Sequence, residues 1–353
     1  MFYVSGQVLT EDGFIHAHLG IDGGRIVEFG EGESPEGARH RGIVVPAFIN
    51  GHSHCADGGV ALPAGIGLVE AVAPPDGLKH RHLQDAGDEA LQASMSRFME
   101  QGLSYGVSGI VDFREGGLHG VRLLSEISSP QQRTILGRPL SPHYDHEEVD
   151  ALLDHCQGLG LSGASDMDPR YLESLADHVH RRGKILALHA SEERREDIDL
   201  ILSLEPSFLV HMSAAEGPDL SRVADEAVPV VICPRSNLFF GIVPPVQEMH
   251  ERGVLTALGT DNAMTCSPDM RAEGECLLRL LKSQGSDASG LLDTCFNRVR
   301  KILNAKSDIS DMLGEKVDLA IFPGDGRAPL ADLFLRPRGL PALVLGNPPE
   351  RRE

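Results

Sequence analysis

His-x-His occurs four times in this chain of 353 residues, at His16/His18, His52/His54, His80/His82 and His178/His180. Two imidazoles one residue apart can converge on one metal ion when the backbone is extended, because strand residues i and i+2 project to the same side. In a helix the same spacing turns them about 200° apart. At most one pair is therefore expected to hold an ion. His178/His180 falls in a stretch of helical spacing, and His16/His18 alternates with Ile15, Ala17 and Leu19, which assigns it to the solvent face of an N-terminal antiparallel strand. His80/His82 sits in a long loop beside Lys79 and Arg81, whose positive charge opposes a cation. Only His52/His54 follows a buried apolar run, in Pro46-Ala-Phe-Ile-Asn-Gly-His-Ser-His54.

A catalytic zinc-type site needs further donors and an open position for water. Leu186-Ala-Leu-His-Ala-Ser-Glu192, Phe208-Leu-Val-His-Met212 and Leu258-Gly-Thr-Asp-Asn262 each carry an apolar run into polar residues, offering His189, Glu192, His211 and Asp261. A lone histidine after apolar residues is usually a satisfied core group. Several such groups at one end of one barrel, each buried without a shared partner, would cost on the order of a few kcal/mol apiece, so together they read as a site.

The elements that must position them follow from the apolar runs. Residues 43–49, 106–113, 133–140, 158–163, 185–189, 208–213, 229–234 and 255–261 read as buried strands. Helical stretches separate them, most clearly where Asp168 caps, Pro169 takes the first helical position, Leu172, Leu175, Ala176 and Val179 form one stripe and Gly183 ends it. The simplest arrangement is α/β, a (β/α)8 barrel spanning 43–310, whose chemistry lies at the carboxyl ends of the strands. An open doubly wound sheet is the alternative, but no Gly-x-Gly-x-x-Gly follows an early strand. Residues 1–42 and 311–353 read as antiparallel strands with Gly-rich turns, expected to meet in a small β-sandwich domain. Residues 56–88, rich in Gly and Pro, read as a long loop forming a lid.

Composition narrows the partners. The 52 acidic and 32 basic side chains give a formal charge of −20, which repels nucleic acid and anionic lipid. Six scattered cysteines without Cys-x-x-Cys argue against a disulfide framework or a cysteine zinc site, and with no apolar leader or membrane-length run the expected setting is cytoplasmic. Self-association into a homo-oligomer is compatible with all of this.

Gly51-His-Ser-His54, His189-Ala-Ser-Glu192, His211 and Gly259-Thr-Asp-Asn262, in that order, resemble the signature of the amidohydrolase superfamily, in the branch of cytosine deaminase and of S-adenosylhomocysteine or methylthioadenosine deaminase. Cys233-Pro-Arg-Ser-Asn237 is similar to a Pro-x-Ser-Asn element of the same branch, and Gly314 to Phe322 resembles its closing strand. The resemblance implies that His52, His54, His189 and Asp261 bind one divalent metal, zinc by ligand type with iron as the alternative. Relatives with two metals carry a bridging lysine on strand four, where this chain reads Gly158-Leu-Gly-Leu-Ser-Gly163, so one ion is implied. The implied reaction is hydrolytic deamination of a small aminated heterocycle, with Asp261 and His211 orienting an activated water and Glu192 shuttling protons. For Glu192 the structural alternative is a first-turn helix position. Asn237 suits either a substrate contact or a cap, Asp57 and Arg114 either the pocket or surface pairing, and Cys55 a buried small residue. Phe113, Phe239 and Phe240 are the candidates to stack on a ring. Hydrolysis of a cyclic amide or halogenated heterocycle, and a silent binding protein on the same scaffold, are the competing functions. The distinct His-x-Glu and Pro-Cys-x-x-Cys nucleobase deaminases are excluded by the absence of those motifs.

Overall fold

The computed structural model describes residues 1–288, 290–336 and 339–346; the last residues of the expected 311–353 segment, 347–353, lie outside them. The N-terminal part forms β1 (Phe2–Thr10), β2 (Gly13–Asp22), β3 (Arg25–Glu31) and β4 (His40–Pro46). The central part contributes β5 (Phe48–His54), β6 (Val107–Arg114), β7 (Gln132–Gly137), β8 (Gly158–Leu161), β9 (Ile185–Ala190), β10 (Phe208–His211), β11 (Val230–Ile232), β12 (Thr256–Leu258) and β13 (Asp261–Asn262). The tail adds β14 (Asp318–Phe322) and β15 (Ala342–Leu345).

Residues 1–46 and the tail meet in one six-stranded sheet ordered β15-β14-β4-β1-β2-β3, continuous in hydrogen bonding. Val4, Val8, Leu19, Ile21, Ile26, Leu319 and Ile321 form its core. Where β1 and β4 pair in parallel, Gly6 opposite Gly42, these glycines adopt φ of +142° and +155°, and a Cβ on Gly6 would lie 1.9 Å from the Gly42 carbonyl oxygen, so neither position accepts a side chain. The run 43–49, expected as one barrel strand, is two strands: after Pro46, Ala47 N–H turns to the Asp318 carbonyl and Phe48 N–H to that of Gly106, passing the chain from the small sheet to the large one. His18 also departs from expectation. Only His16 faces solvent, while His18 is buried over Gly30 and bonds Glu28 and the Gly32 carbonyl.

The nine remaining strands form one parallel sheet, β12-β11-β10-β9-β8-β7-β6-β5-β13. Its two ends belong to one stretch of chain. Gly259 N–H bonds the Ile232 carbonyl on the β11 side, and Thr260 N–H bonds the His52 carbonyl on the β5 side. The sheet thereby closes around Ile49, Val111, Phe113, Leu136, Ala187, Phe208, Val210, Val231 and Ala257. Helices cover the outside, and that over Pro169–Arg181 forms as its residues dictate: Asp168 accepts from Arg170 and Tyr171 N–H, and Leu172, Leu175, Ala176 and Val179 are buried. Residues 56–88 are not a bare loop. They hold short helices at Leu68–Val72 and Leu78–Asp85, which places His80 and His82 on a helix. Among the described residues no helix is long and apolar enough to cross a membrane.

Asn50 clasps the seam. Its Nδ2 donates to Thr260 Oγ1 at 2.7 Å and its Oδ1 accepts from Thr260 N–H at 2.9 Å, all in the interior. Asn50→Ala leaves these buried groups underbonded and should lower the unfolding free energy by about 1–3 kcal/mol. A urea titration matching that of the parent would refute the clasp.

Candidate active site

The seam sets the register that builds the site. β13 lies parallel to β5 with Asp261 opposite Ser53 and Asn262 opposite His54, so the carboxylate arrives between the two histidines of the first strand. Asp261 Oδ1 stands 3.3 Å from His52 Nε2 and 3.6 Å from His54 Nε2. His189, at the end of β9, brings its Nε2 to 3.4 Å from His54 Nε2. His211, at the end of β10, completes the ring, and the donor atoms of His52, His189, His211 and Asp261 all lie within 4.8 Å of one another. Ser191, His211, Met212 and Asp261 have positive φ (44°, 76°, 55° and 61°), conformations costing on the order of 1–3 kcal/mol that gather where strand ends are bent toward a site.

By distance His211 belongs with the tightest group, but hydrogen bonding separates its role from that of His54. His54 Nδ1 faces the Phe113 carbonyl at 3.1 Å and His189 Nδ1 the Leu161 carbonyl at 2.8 Å. A carbonyl only accepts, so both Nδ1 atoms carry the hydrogen and both Nε2 atoms turn lone pairs to the centre. At His211 the order reverses. Ser213 Oγ donates to Asn237 Oδ1, which directs Asn237 Nδ2 at His211 Nδ1, 3.3 Å away, and leaves the hydrogen on Nε2. Asp261 Oδ2 is occupied by Ser236 Oγ at 2.6 Å and Asn262 Nδ2 at 2.8 Å, so Oδ1 is the oxygen free to face the imidazoles.

A cation fits this set. His52 is fully buried, yet neither ring nitrogen has a hydrogen-bond partner among the described residues, and the same holds for His211 Nε2. Burial lowers the pKa of His52 and takes that of His189 well below the usual imidazole range, which favours the neutral form that ligation requires, and it lowers that of His211 to about 4. Gly160 on β8 leaves room for the ring of Phe113, since a Cβ there would come within 2.6 Å of it.

Glu192 lies not on a helix but on a bent segment before the helix at Ile198–Ser203, so a first-turn role is ruled out. Its Oε1 is 3.5 Å from His211 Nε2 and 3.4 Å from Asn237 Nδ2. Burial, and next the Asp261 charge, raise its carboxyl well above the usual range, whereas His52, His211 and His54 outweigh burial at Asp261 and hold that carboxyl well below it. Two carboxyl groups at one cavity are thus pushed in opposite directions.

The cavity, about 240 Å³, is lined by His54, His189, Glu192 and Asp261 on its floor and by Leu68, Val72, Ala73, Pro74 and Lys79 of residues 56–88 as a roof. Its apolar wall is aliphatic. Phe113 instead lies beneath the site, its ring 4.4 Å from that of His52, and Phe239 is half exposed; neither these nor Phe240 lines the cavity. Asp57 and Arg114 are buried, not paired at the surface. Asp57 Oδ1 accepts from Met264 N–H, and burial lifts its carboxyl to about 7. Arg114 pairs with Asp112 and Glu115, and Asp112 in turn accepts from Ser53 Oγ and Cys55 N–H, fixing the backbone around the histidine pair. Cys55 is a buried small residue, as expected.

Sequence reasoning missed Glu115 and Lys79. Glu115 Oε1 lies 2.9 Å from His54 Nδ1 and 2.6 Å from Lys79 Nζ, and although burial pushes the Glu115 carboxyl up, Lys79 and then His54 hold it well below the usual range. Nothing in the spacing of Lys79 signalled this; only its place in the long segment over the site did.

No family model matches the chain. A protein of Methanothermobacter thermautotrophicus named "Putative aminohydrolase" is 33% identical over 337 residues, covering 87% of this chain and 85% of that one. The chain belongs to the aminohydrolases of the amidohydrolase superfamily. The enzyme therefore acts on carbon–nitrogen bonds other than peptide bonds, by metal-dependent hydrolysis. Its fold is that of Helicobacter pylori aminofutalosine deaminase in complex with methylthio-coformycin (TM-score 0.75, 17% identity, 98% of this chain and 99% of that one). It is equally that of atrazine chlorohydrolase from Arthrobacter aurescens complexed with zinc (TM-score 0.75, 17% identity, 95% and 91%).

Ser236 touches only the far oxygen of Asp261. Ser236→Ala should weaken divalent-metal affinity of this aminohydrolase by about 10- to 100-fold, the usual effect of removing such a support. Competition against a chelator measures it, and unchanged affinity would show that Asp261 is oriented otherwise.

Proposed function

We propose that this enzyme, a closed (β/α)8 barrel with a small β domain made from both chain ends, deaminates an aminated heterocycle of purine, pyrimidine, pterin or thioadenosine type. One divalent ion would be held by His52, His54, His189 and Asp261. Three imidazoles and a carboxylate suit zinc best, with iron second. When bound, the ion supplies the Lewis acidity that makes water nucleophilic at neutral pH.

The remaining work falls to side chains. Asp261 Oδ1 accepts a proton at the centre while Ser236 and Asn262 hold its other oxygen. His211 turns its Nε2–H inward, where it orients an oxygen atom rather than binding the cation. Glu192, whose carboxyl burial raises, delivers its proton from Oε1 to the ring nitrogen beside the amino-bearing carbon; reloaded with one proton of the added water it then protonates the departing ammonia, and the water's other proton, held by Asp261, restores the acid. The largely aliphatic roof covers a space suited to one ring system, a little below the usual volume of drug-sized ligand sites.

The observation that carries this reading is the place of Glu192 at the cavity floor, its Oε1 3.5 Å from His211 Nε2, with burial raising its carboxyl while the imidazoles lower that of Asp261, an arrangement that serves a basic leaving group. Halide needs no such donor, and a silent binding protein needs neither shift. Glu192→Gln should cut turnover by about 10²- to 10⁴-fold and leave metal content near normal, whereas Asp261→Asn should lower both. Ammonia release across a panel of aminated heterocycles, with chloride release and ring opening followed in parallel, tests the reaction. Chloride or ring-opened product without ammonia would replace the proposal, and loss of metal from Glu192→Gln would show that residue to be a ligand.

A further inference from the structure

On the outside of the barrel, His178 is part of a different constellation from the pair its spacing suggested. The helix at His146–His155 runs beside that at Pro169–Arg181, and His146 and Asp150, four residues apart, share the face toward His178. His146 Nε2 stands 3.1 Å from Asp150 Oδ2, and His178 Nε2 stands 3.0 Å from Asp150 Oδ1. The two imidazoles stack with centroids 4.7 Å apart and planes 20° apart. On their other side both Nδ1 atoms meet one hydroxyl, that of Tyr144, at 3.2 Å and 3.0 Å.

Three of these contacts have hydrogen-bond geometry, the two to Tyr144 and that of His178 to Asp150, whereas His146 Nε2 faces Asp150 Oδ2 as an ion-pair contact alone. A cation on the Nε2 side would meet both rings and the carboxylate, since each neutral ring can carry its hydrogen on Nδ1 and the Tyr144 oxygen can accept both. That is the back-support usual for ligating histidines. Arg182 pairs with Asp150 and Asp154, so one guanidinium balances two carboxylates and the patch retains a negative charge. His178 is buried and fixed, while His146 is exposed and open to an incoming ion.

We propose that His146, Asp150 and His178 form a second metal site that binds a divalent transition ion of the zinc class and clips these two outer helices together. The three donor atoms lie within 4.8 Å of one another, and three protein ligands leave room for water. The site is separate from the catalytic centre and does not depend on the function proposed for it.

Titration of the enzyme, purified with its catalytic metal, with Zn²⁺ in a calorimeter tests it. Wild type should take up one further equivalent per chain. His146→Ala and Asp150→Asn should lose that equivalent while His146→Ala keeps its turnover. Asp261→Asn, altered at the catalytic centre, should retain it. Zn²⁺ should raise the melting temperature of wild type and leave that of His146→Ala unmoved. Equal uptake by wild type and both outer variants, or no further equivalent in wild type, overturns the proposal. So does a melting temperature that shifts with pH through the histidine range but not with Zn²⁺, because the cluster then takes up a proton and not the metal.

Discussion

The approach of Asp261 Oδ1 to His52 and His54 across the closing seam is the constraint on which the rest depends. It unites residues 207 to 209 positions apart, and it exists only because β13 pairs with β5 in one register. A shift of one residue would turn Asp261 to the other face of the strand and put Asn262 in its place. Fold and site are therefore the same event here. The hydrogen bonds that close the sheet, from Gly259 to Ile232 and from Thr260 to His52, are also those that deliver the carboxylate. The positive φ at Asp261 is the local strain accepted for that delivery.

Around this point the protein controls charge by burial and by direct contact, and the two act in opposite directions on different groups. Burial alone would neutralise every titratable group at the centre. It shifts His52, His189 and His211 that way, and Glu192. Asp261 escapes because imidazoles approach it from several sides, and Glu115 because Lys79 and His54 do. One buried environment thus pushes three imidazoles and one carboxyl toward neutrality while it holds two other carboxyls below their usual range. The same proton accounting distinguishes His54 from His211: two carbonyls fix one tautomer at His54 and His189, and an amide fixes the other at His211.

The parts legible in the sequence were those with short-range signatures. Extended spacing singled out His52/His54, and apolar runs ending in polar residues found His189, His211 and Asp261. The helix at Pro169–Arg181 was readable from Asp168, Pro169 and its buried stripe, because capping and periodicity are local effects. What failed was decided by tertiary contact. Pro46 and Ala47 look like the middle of one strand, yet carbonyls of Asp318 and Gly106, far along the chain, split it. His18 seemed exposed by alternation, but Gly30 on the next strand offers a hollow that takes its ring. Phe113 seemed available to substrate until Gly160 made space for it beneath the histidines.

The roof shows why such failures collect at functional places. Lys79 projects from the helix at Leu78–Asp85, a segment otherwise held by short turns, and its ammonium is buried against Glu115, the carboxylate that also meets His54 Nδ1. A buried ammonium without a partner is costly, so Lys79 holds the roof down only where Glu115 is ionised and in place. Glu115 in turn reinforces the tautomer that His54 needs to offer Nε2 to a cation. Cover and metal centre are therefore coupled through one carboxylate, and a roof lifted away would expose the cavity and withdraw the counter-charge from Glu115 together. That coupling joins an exposed-looking lysine to a histidine 25 residues before it, and no periodicity or motif in either segment encodes it.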